Sequence, residues 1–421
     1  MNAAAKRVVR TYVSLTLLST FASSFIWGIN TLFLLDAGLT ITGAFTANAF
    51  FTAGQVVFEI PTGVIADTRG RRTSFLLGTA TLFVTTLAYL WLWQITGPFW
   101  AWALVSALLG LGFTFFSGAT EAWLVDGLKA AKYDGQLDGV FAKGSIATGI
   151  AMLTGTVAGG LVAQYSNVGV PYIMRIVALG LTFLIAFFLM RDEGFSAKSK
   201  TGLINEMKDV VAESVEFGLR NKPVRWMMLS SLFSGGVAIF AFYAMQPYLL
   251  QLYGRSGGFL IAGIAAAIVA GAQIAGGFLV PFAGKLFKRR TSLLMAGSII
   301  STVALMVIAF AGNFWIALAM LAIWAVIFAA IGPVRQSYMN GIIPSAQRAT
   351  VLSADNMMSS AGGVISQPAL GKVAEVWGYP ASYFGSAVYQ ILALPLIAMA
   401  RREKAKSDKI LSEKLGQEPA K

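Results

Sequence analysis

The sequence predicts an all-α membrane protein with twelve transmembrane helices in two pseudo-symmetric six-helix bundles. Three observations carry that prediction: a composition water would not tolerate, apolar runs matched to bilayer thickness, and Lys and Arg on one side only. Of the 421 residues, 57% are hydrophobic and 12% are charged, about half the roughly 25% charged share of a soluble domain. Surface apolar to that degree is stable in lipid. The formal net charge of +13 lies at the ends of apolar runs and not along one basic face. It therefore reads as membrane orientation, and nucleic acid is excluded as a partner.

A hydrocarbon core of about 30 Å takes roughly 20 apolar residues per helix. On that ruler the spans fall at 12–35, 41–66, 73–95, 98–127, 139–165, 170–190, 224–252, 257–284, 291–311, 313–338, 347–371 and 380–400. The first is read as a retained span and not a cleaved signal, because its apolar run is too long and lacks a cleavage site. The fourth exceeds the bilayer, so its Glu121-to-Asp126 end is expected to project into the cytoplasm. With both termini inside, 29 of the 32 cations fall on inner segments; only Arg255 and Lys372 fall outside, and Arg175 lies within a span. That asymmetry fixes both termini in the cytoplasm and requires an even span count.

The divisions follow from the same pattern. Residues 1–190 form an N-terminal six-helix bundle, 191–223 a cytoplasmic linker, 224–400 a C-terminal six-helix bundle and 401–421 a cytoplasmic tail. In the linker, Leu203, Met207, Val210, Val211 and Phe217 share a helical face opposite Glu206, Asp209, Glu213 and Glu216, as in a helix lying under the membrane. The tail is expected to be a frayed helix or disordered. The halves repeat: Arg71-Arg72-Thr73-Ser74 is matched by Arg289-Arg290-Thr291-Ser292, Asn30 by Gln246, and Gly160-Leu161-Val162-Ala163 by Gly371-Lys372-Val373-Ala374. Parallel halves joined by a central loop mark a carrier that rocks around a midplane site.

There is no Cys and no His. Thiol nucleophiles, Ser-His triads and Cys/His metal or haem ligation are thereby removed, so no catalytic residue, metal or cofactor is expected. Proton chemistry falls to carboxylates. No phosphate-cradling G-x-x-x-x-G-K-[ST] turn occurs, so ATP is not the direct energy source. An integral membrane enzyme would need a clustered polar site, which the spans lack, and a seven-helix receptor fails on span count.

The turn Gly63-Val64-Ile65-Ala66-Asp67-Thr68-Arg69-Gly70-Arg71-Arg72 joins spans 2 and 3 with two glycines, an acid and three arginines. It resembles the signature loop between helices 2 and 3 of the major facilitator superfamily. With twelve spans, the repeat and the central loop, the resemblance covers the chain to about residue 400. It implies that Asp67 pairs with Arg71 and with the acid at the end of helix 4, here Asp126, as a latch on the inner gate. Such a carboxylate is costly to bury unless a guanidinium satisfies it. The second-half copy carries Lys285 where the acid would stand. Gly155-Thr156-Val157-Ala158-Gly159-Gly160 resembles the superfamily's antiporter motif, with Thr156 in place of proline; Gly155, Gly159 and Gly160 also suit close helix packing. Where drug/proton antiporters carry a helix-4 arginine, Ser106 stands.

Acids inside a membrane are functional candidates by default. Glu59 lies eight residues, about 12 Å, before Asp67; with Glu121 and Asp355 it is a proton-coupling candidate, because a carboxyl in apolar surroundings is less readily kept as the anion. Asp36 reads as an outer helix end. The fold implied by the resemblance lines its cavity with helices 1, 4, 7 and 10, which places Trp27, Asn30, Phe113, Phe116, Tyr243, Gln246 and Trp324 at mid-membrane. Aromatic rings with two amides suit a small lipophilic or amphipathic solute. The expected function is proton-coupled efflux of such a compound by a monomeric carrier of a bacterial-type inner membrane. Uptake of an organic solute by symport or uniport is the alternative.

Overall fold

A computed structural model describes residues 1–195, 208, 212–254, 258–344 and 347–410. The linker face built on Leu203, Glu206, Met207, Asp209, Val210 and Val211, and the tail from 411, lie outside the described residues. The rest is helical: α1 Ala3–Trp27, α2 Asn30–Asp36, α3 Ile41–Arg69, α4 Arg71–Gln94, α5 Phe99–Thr114, α6 Ala119–Ala130, α7 Asp138–Tyr165, α8 Val170–Leu189, α9 Lys222–Tyr253, α10 Phe259–Leu286, α11 Arg290–Phe310, α12 Phe314–Asn340, α13 Arg348–Ile391 and α14 Ala393–Arg402. Among the described residues, ten helices are long and apolar enough to cross a membrane, or eleven if the bent α1–α2 pair is one span. The last of them, Thr350–Arg402, has 53 residues. That is about 80 Å of helix, more than two hydrocarbon thicknesses. It is interrupted at Gly378, whose φ of 85° is non-helical, so two traversals restore the count of twelve.

Three spans read as single helices are broken. Span 1 stops at Trp27 and resumes at Asn30 with a 49° bend. The break strands two backbone groups in apolar surroundings, where each must find a partner. Gln246 supplies both, accepting from Thr31 N at 2.9 Å and donating to Trp27 O at 2.7 Å. Span 4 breaks between Thr114 and Ala119, with Gly118 in the left-handed region at φ 66°. Span 12 is divided at Leu392.

The chain forms two compact units. The first comprises Met1–Val210, Phe242–Ile268 and Gln367–Glu375; the second comprises Val211–Ala241, Val269–Ser366 and Val376–Lys421. In unit 1 the core is aromatic: Phe33 stacks on Tyr172 at 3.9 Å and meets Trp102 edge-on at 6.1 Å. In unit 2 a second core joins Met227, Met228, Leu293, Tyr338 and Ile397. Large apolar side chains also face outward, among them Trp100 at 72%, Phe278 at 73% and Phe310 at 76% exposure. Rings this exposed are those a lipid-facing surface carries.

The internal repeat reappears in the packing of each unit. In unit 1 a Cβ on Gly159 of α7 would overlap Phe25 O of α1, and one on Gly54 of α3 would overlap Ala107 O of α5. In unit 2 a Cβ on Gly362 of α13 would overlap Leu232 O of α9, and one on Gly276 of α10 would overlap Val326 O of α12. The same helix pairs, in the same order along each half, are brought to backbone contact by a glycine on the same partner.

The tail departs from expectation. Residues up to 410 are docked rather than frayed: Asp408 is 3% exposed and accepts from Thr291 N at 2.8 Å, at the start of α11. Arg290 donates to Ser407 O, and Ile410 N to Lys288 O at 3.1 Å. The first turn of a helix has unsatisfied N–H groups that a carboxylate stabilises by hydrogen bond and dipole together, which is why a charged tail orders here.

Candidate functional site

The hairpin after α3 is held by charge. Arg71, the first residue of α4, pairs across the turn with Asp67 in the last turn of α3. Gly70 turns the chain at φ 103°, a conformation that favours glycine. Asp126, on α6, makes no ion pair among the described residues. The residue facing the hairpin is instead Asp192, just past α8, which accepts from Arg72 N at 2.9 Å and caps α4. Arg72 donates to Phe187 O at 2.7 Å, and Arg71 lies 5.9 Å from the Phe195 ring. α6 reaches the same segment through Trp123, whose Nε1 donates to Arg191 O at 2.7 Å. Burial pushes the Asp192 carboxyl up, opposed by the Arg72 amide and by the guanidiniums of Arg72 and Arg71.

Asp192 at the start of α4 and Asp408 at the start of α11 are therefore counterparts, each lying after the last helix of its half. Sequence reading missed both, because each sits in a charged segment where hydropathy gives no contrast. Replacing either by Ala is expected to cost about 1 kcal/mol. Thermal unfolding of the detergent-purified protein measures it, and an unchanged midpoint for both variants would show that the caps are idle.

Unit 1 holds a small cavity of about 40 Å³ lined by Ile26, Trp27, Asn30, Asn48, Phe51, Tyr89, Leu109, Phe113, Arg175 and Tyr243. Four of the seven residues expected around a solute are here: Trp27, Asn30, Phe113 and Tyr243. The break between α1 and α2 aims Asn30 into a polar chain, in which Tyr172 Oη donates to Asn30 Oδ1 at 2.9 Å and Asn30 Nδ2 to Asn48 Oδ1 at 2.9 Å. Arg175 is 1% exposed; its Nε donates to Thr86 Oγ1 at 3.1 Å and its guanidinium lies 5.7 Å from the Phe113 ring. Gln246 is committed to the α1–α2 break, and Phe116 packs edge-on against Phe75 at 4.8 Å. Ser106 is bonded to Tyr89 Oη at 2.6 Å.

Unit 2 holds a larger cavity of about 420 Å³. Its lining combines apolar Trp324, Phe328 and Ile331 with polar Ser230, Ser231, Gln336, Asn356 and Gln390. At its wall Asp355, 8% exposed, pairs with Arg335. Arg335 Nε donates to Asp355 Oδ2 at 3.0 Å and Nη1 to Ser230 Oγ at 3.1 Å, while Ser231 Oγ donates to Asp355 Oδ1 at 3.0 Å. This pair links α12 to α13, with both partners also bonded to α9. Of the seven expected cavity residues, only Trp324 is here.

The other acids stand apart. Glu59 is partly buried and accepts from Ser117 Oγ at 2.6 Å, while Glu121 is exposed. Gly155, Gly159 and Gly160 are packing positions against Ser24, Phe25 and Gly263 respectively. Gly63 has open space where a Cβ would project. No cluster of three or more metal-ligating side chains occurs among the described residues.

A family model described as Major Facilitator Superfamily matches residues 12–366 and 265–420. Solved structures share the fold at low identity. The nucleoside transporter NupG superposes with a TM-score of 0.77 at 13% identity, over 95% of this chain and 99% of that one. A bacterial homolog of the human lysosomal transporter Spinster, in an inward-facing and unoccupied conformation, gives 0.72 at 14%, over 98% and 100%. The peptide transporter POT in complex with sulfate gives 0.74 at 13%, over 96% of each. No curated protein sequence matches.

Proposed function

We propose that this chain, which belongs to the Major Facilitator Superfamily, exports a small lipophilic or amphipathic compound in exchange for protons. The observation that carries this reading is the Asp355–Arg335 pair on the wall of the 420 Å³ cavity. A carboxylate inside a span, held on a cavity wall by one guanidinium and one hydroxyl, is the kind of group on which membrane carriers build proton relays. Aromatic Trp324 and Phe328 beside a set of hydroxyls and amides give an amphipathic solute both kinds of surface. The cations at inner helix ends support a bacterial-type inner-membrane protein with both termini in the cytoplasm. The six-helix bundles at 1–190 and 224–400 would be the moving bodies. The Asp67–Arg71 hairpin would secure the inner gate, with Asp126 drawn in only when the conformation changes.

Purified protein in liposomes with an imposed pH gradient tests the coupling. Asp355→Asn, and to a smaller degree Glu59→Gln and Glu121→Gln, are expected to abolish gradient-driven transport and leave solute exchange intact. Transport indifferent to the gradient in the wild type would remove protons from the reading. A second reading, uptake of a polar organic solute, is favoured by the polar half of the same cavity, where Ser230, Ser231, Gln336, Asn356 and Gln390 converge. Cells expressing the protein separate the two, since an exporter lowers sensitivity to its substrate and an importer does not.

A further inference from the structure

The unit 1 cavity contains a cation that the proposed transport cycle does not use. Arg175 lies inside α8, is 1% exposed and has no carboxylate partner among the described residues. Its Nε is bonded to Thr86, but Nη1 and Nη2 meet no acceptor. Across the same cavity Asn48 spends its Oδ1 on Asn30, and its Nδ2 meets no acceptor either. Donation runs one way along the chain: Tyr172 gives to Asn30, Asn30 gives to Asn48, and the chain ends on an amide N–H₂. The fully buried side-chain atoms left without partners around the cavity are thus all donors, two of them on a guanidinium. The complement is an acceptor-only, negatively charged group with two oxygens, the geometry for which a guanidinium fork is built.

The geometry points to an anion subsite at Arg175 and Asn48 that receives the carboxylate of the transported solute. A volume of about 40 Å³ exceeds the room a single water needs, about 10–15 Å³ by the same measure. It therefore holds a carboxylate group and not the body of a solute. Trp27, Phe51 and Phe113 line the same cavity, so the walls beside the guanidinium are aromatic. The solute is then an amphipathic organic acid rather than a neutral or cationic lipophile. This inference rests on the transport reading and narrows its substrate class.

The test uses the full-length purified protein in detergent and three phenyl probes of similar size and different charge: benzoate, benzamide and benzylamine. Thermal unfolding is followed at fixed ionic strength, with chloride run in parallel. Benzoate is expected to raise the unfolding midpoint in a saturable way, benzamide and benzylamine are not, and chloride is not. Arg175→Gln should weaken the benzoate response at least about tenfold. Should Arg175→Gln fail to fold, Asn48→Asp decides: its own carboxylate faces the guanidinium, so the midpoint without probe should rise and the benzoate increment should vanish. Equal effects of benzoate and benzamide, an equal effect of chloride, or a benzoate response surviving both substitutions would overturn the subsite. Loss of counterflow in wild-type liposomes would instead overturn the transport reading and leave the benzoate result standing.

Discussion

Arg335→Ala is expected to destabilise the protein by about 3–5 kcal/mol, the cost of leaving one member of a buried ion pair uncompensated. Both partners are largely enclosed, with side-chain exposures of 16% for Arg335 and 11% for Asp355. Arg335 also donates to the Met227 carbonyl and to Ser230, so its loss strips acceptors on α9 as well as the carboxylate on α13. The double variant Arg335→Leu/Asp355→Leu should recover most of that loss, because two apolar side chains of similar bulk leave no charge to solvate. The cycle is read from thermal unfolding of wild type, both singles and the double. Additive costs would mean that the pair is not an energetic unit. Transport separates stability from coupling, since the double variant should fold yet lose response to a pH gradient.

How much of this was legible beforehand follows from what each signal depends on. Hydropathy found the traversals because lipid contact imposes a demand on every residue of a span, and a window sums that demand. It did not find the break at Gly28 and Ile29, because the break is made tolerable by Gln246, more than two hundred residues away in sequence. For the same reason Gln246 looked like a free amide in a cavity and proved to be bound to backbone. Asp355 was legible as an acid inside a span; that Arg335 answers it is a matter of how α12 and α13 pack. Arg175 was visible as a cation within a span. Its meaning lies in the unfilled donors around it, which no spacing encodes. The caps at Asp192 and Asp408 were hidden among other charges, and they emerged only when the starts of α4 and α11 were seen to need them.

Gly159→Val and Gly362→Val are the substitutions expected to do most damage to packing, each at least about 3 kcal/mol. At Gly159 the added carbon would overlap Phe25 O, and at Gly362 it would overlap Leu232 O. Neither obstacle is a side chain that can turn aside; each is the main chain of a neighbouring helix whose carbonyl is already committed. Relief requires the helices to separate, and that forfeits dispersion contacts along their whole shared face. Gly63 provides the control. A Cβ there meets open space, and an alanine in a helix is favoured over glycine by up to about 1 kcal/mol, so Gly63→Ala should leave the unfolding midpoint unchanged or raised. Measured side by side, the three variants distinguish glycines that hold this conformation from one that does not. If Gly63→Ala folds normally but transports poorly, the space beside Gly63 must be filled in another state of the cycle, which would place the Asp67 hairpin among the moving parts. Normal folding and normal transport together would confine the importance of that hairpin to its charges.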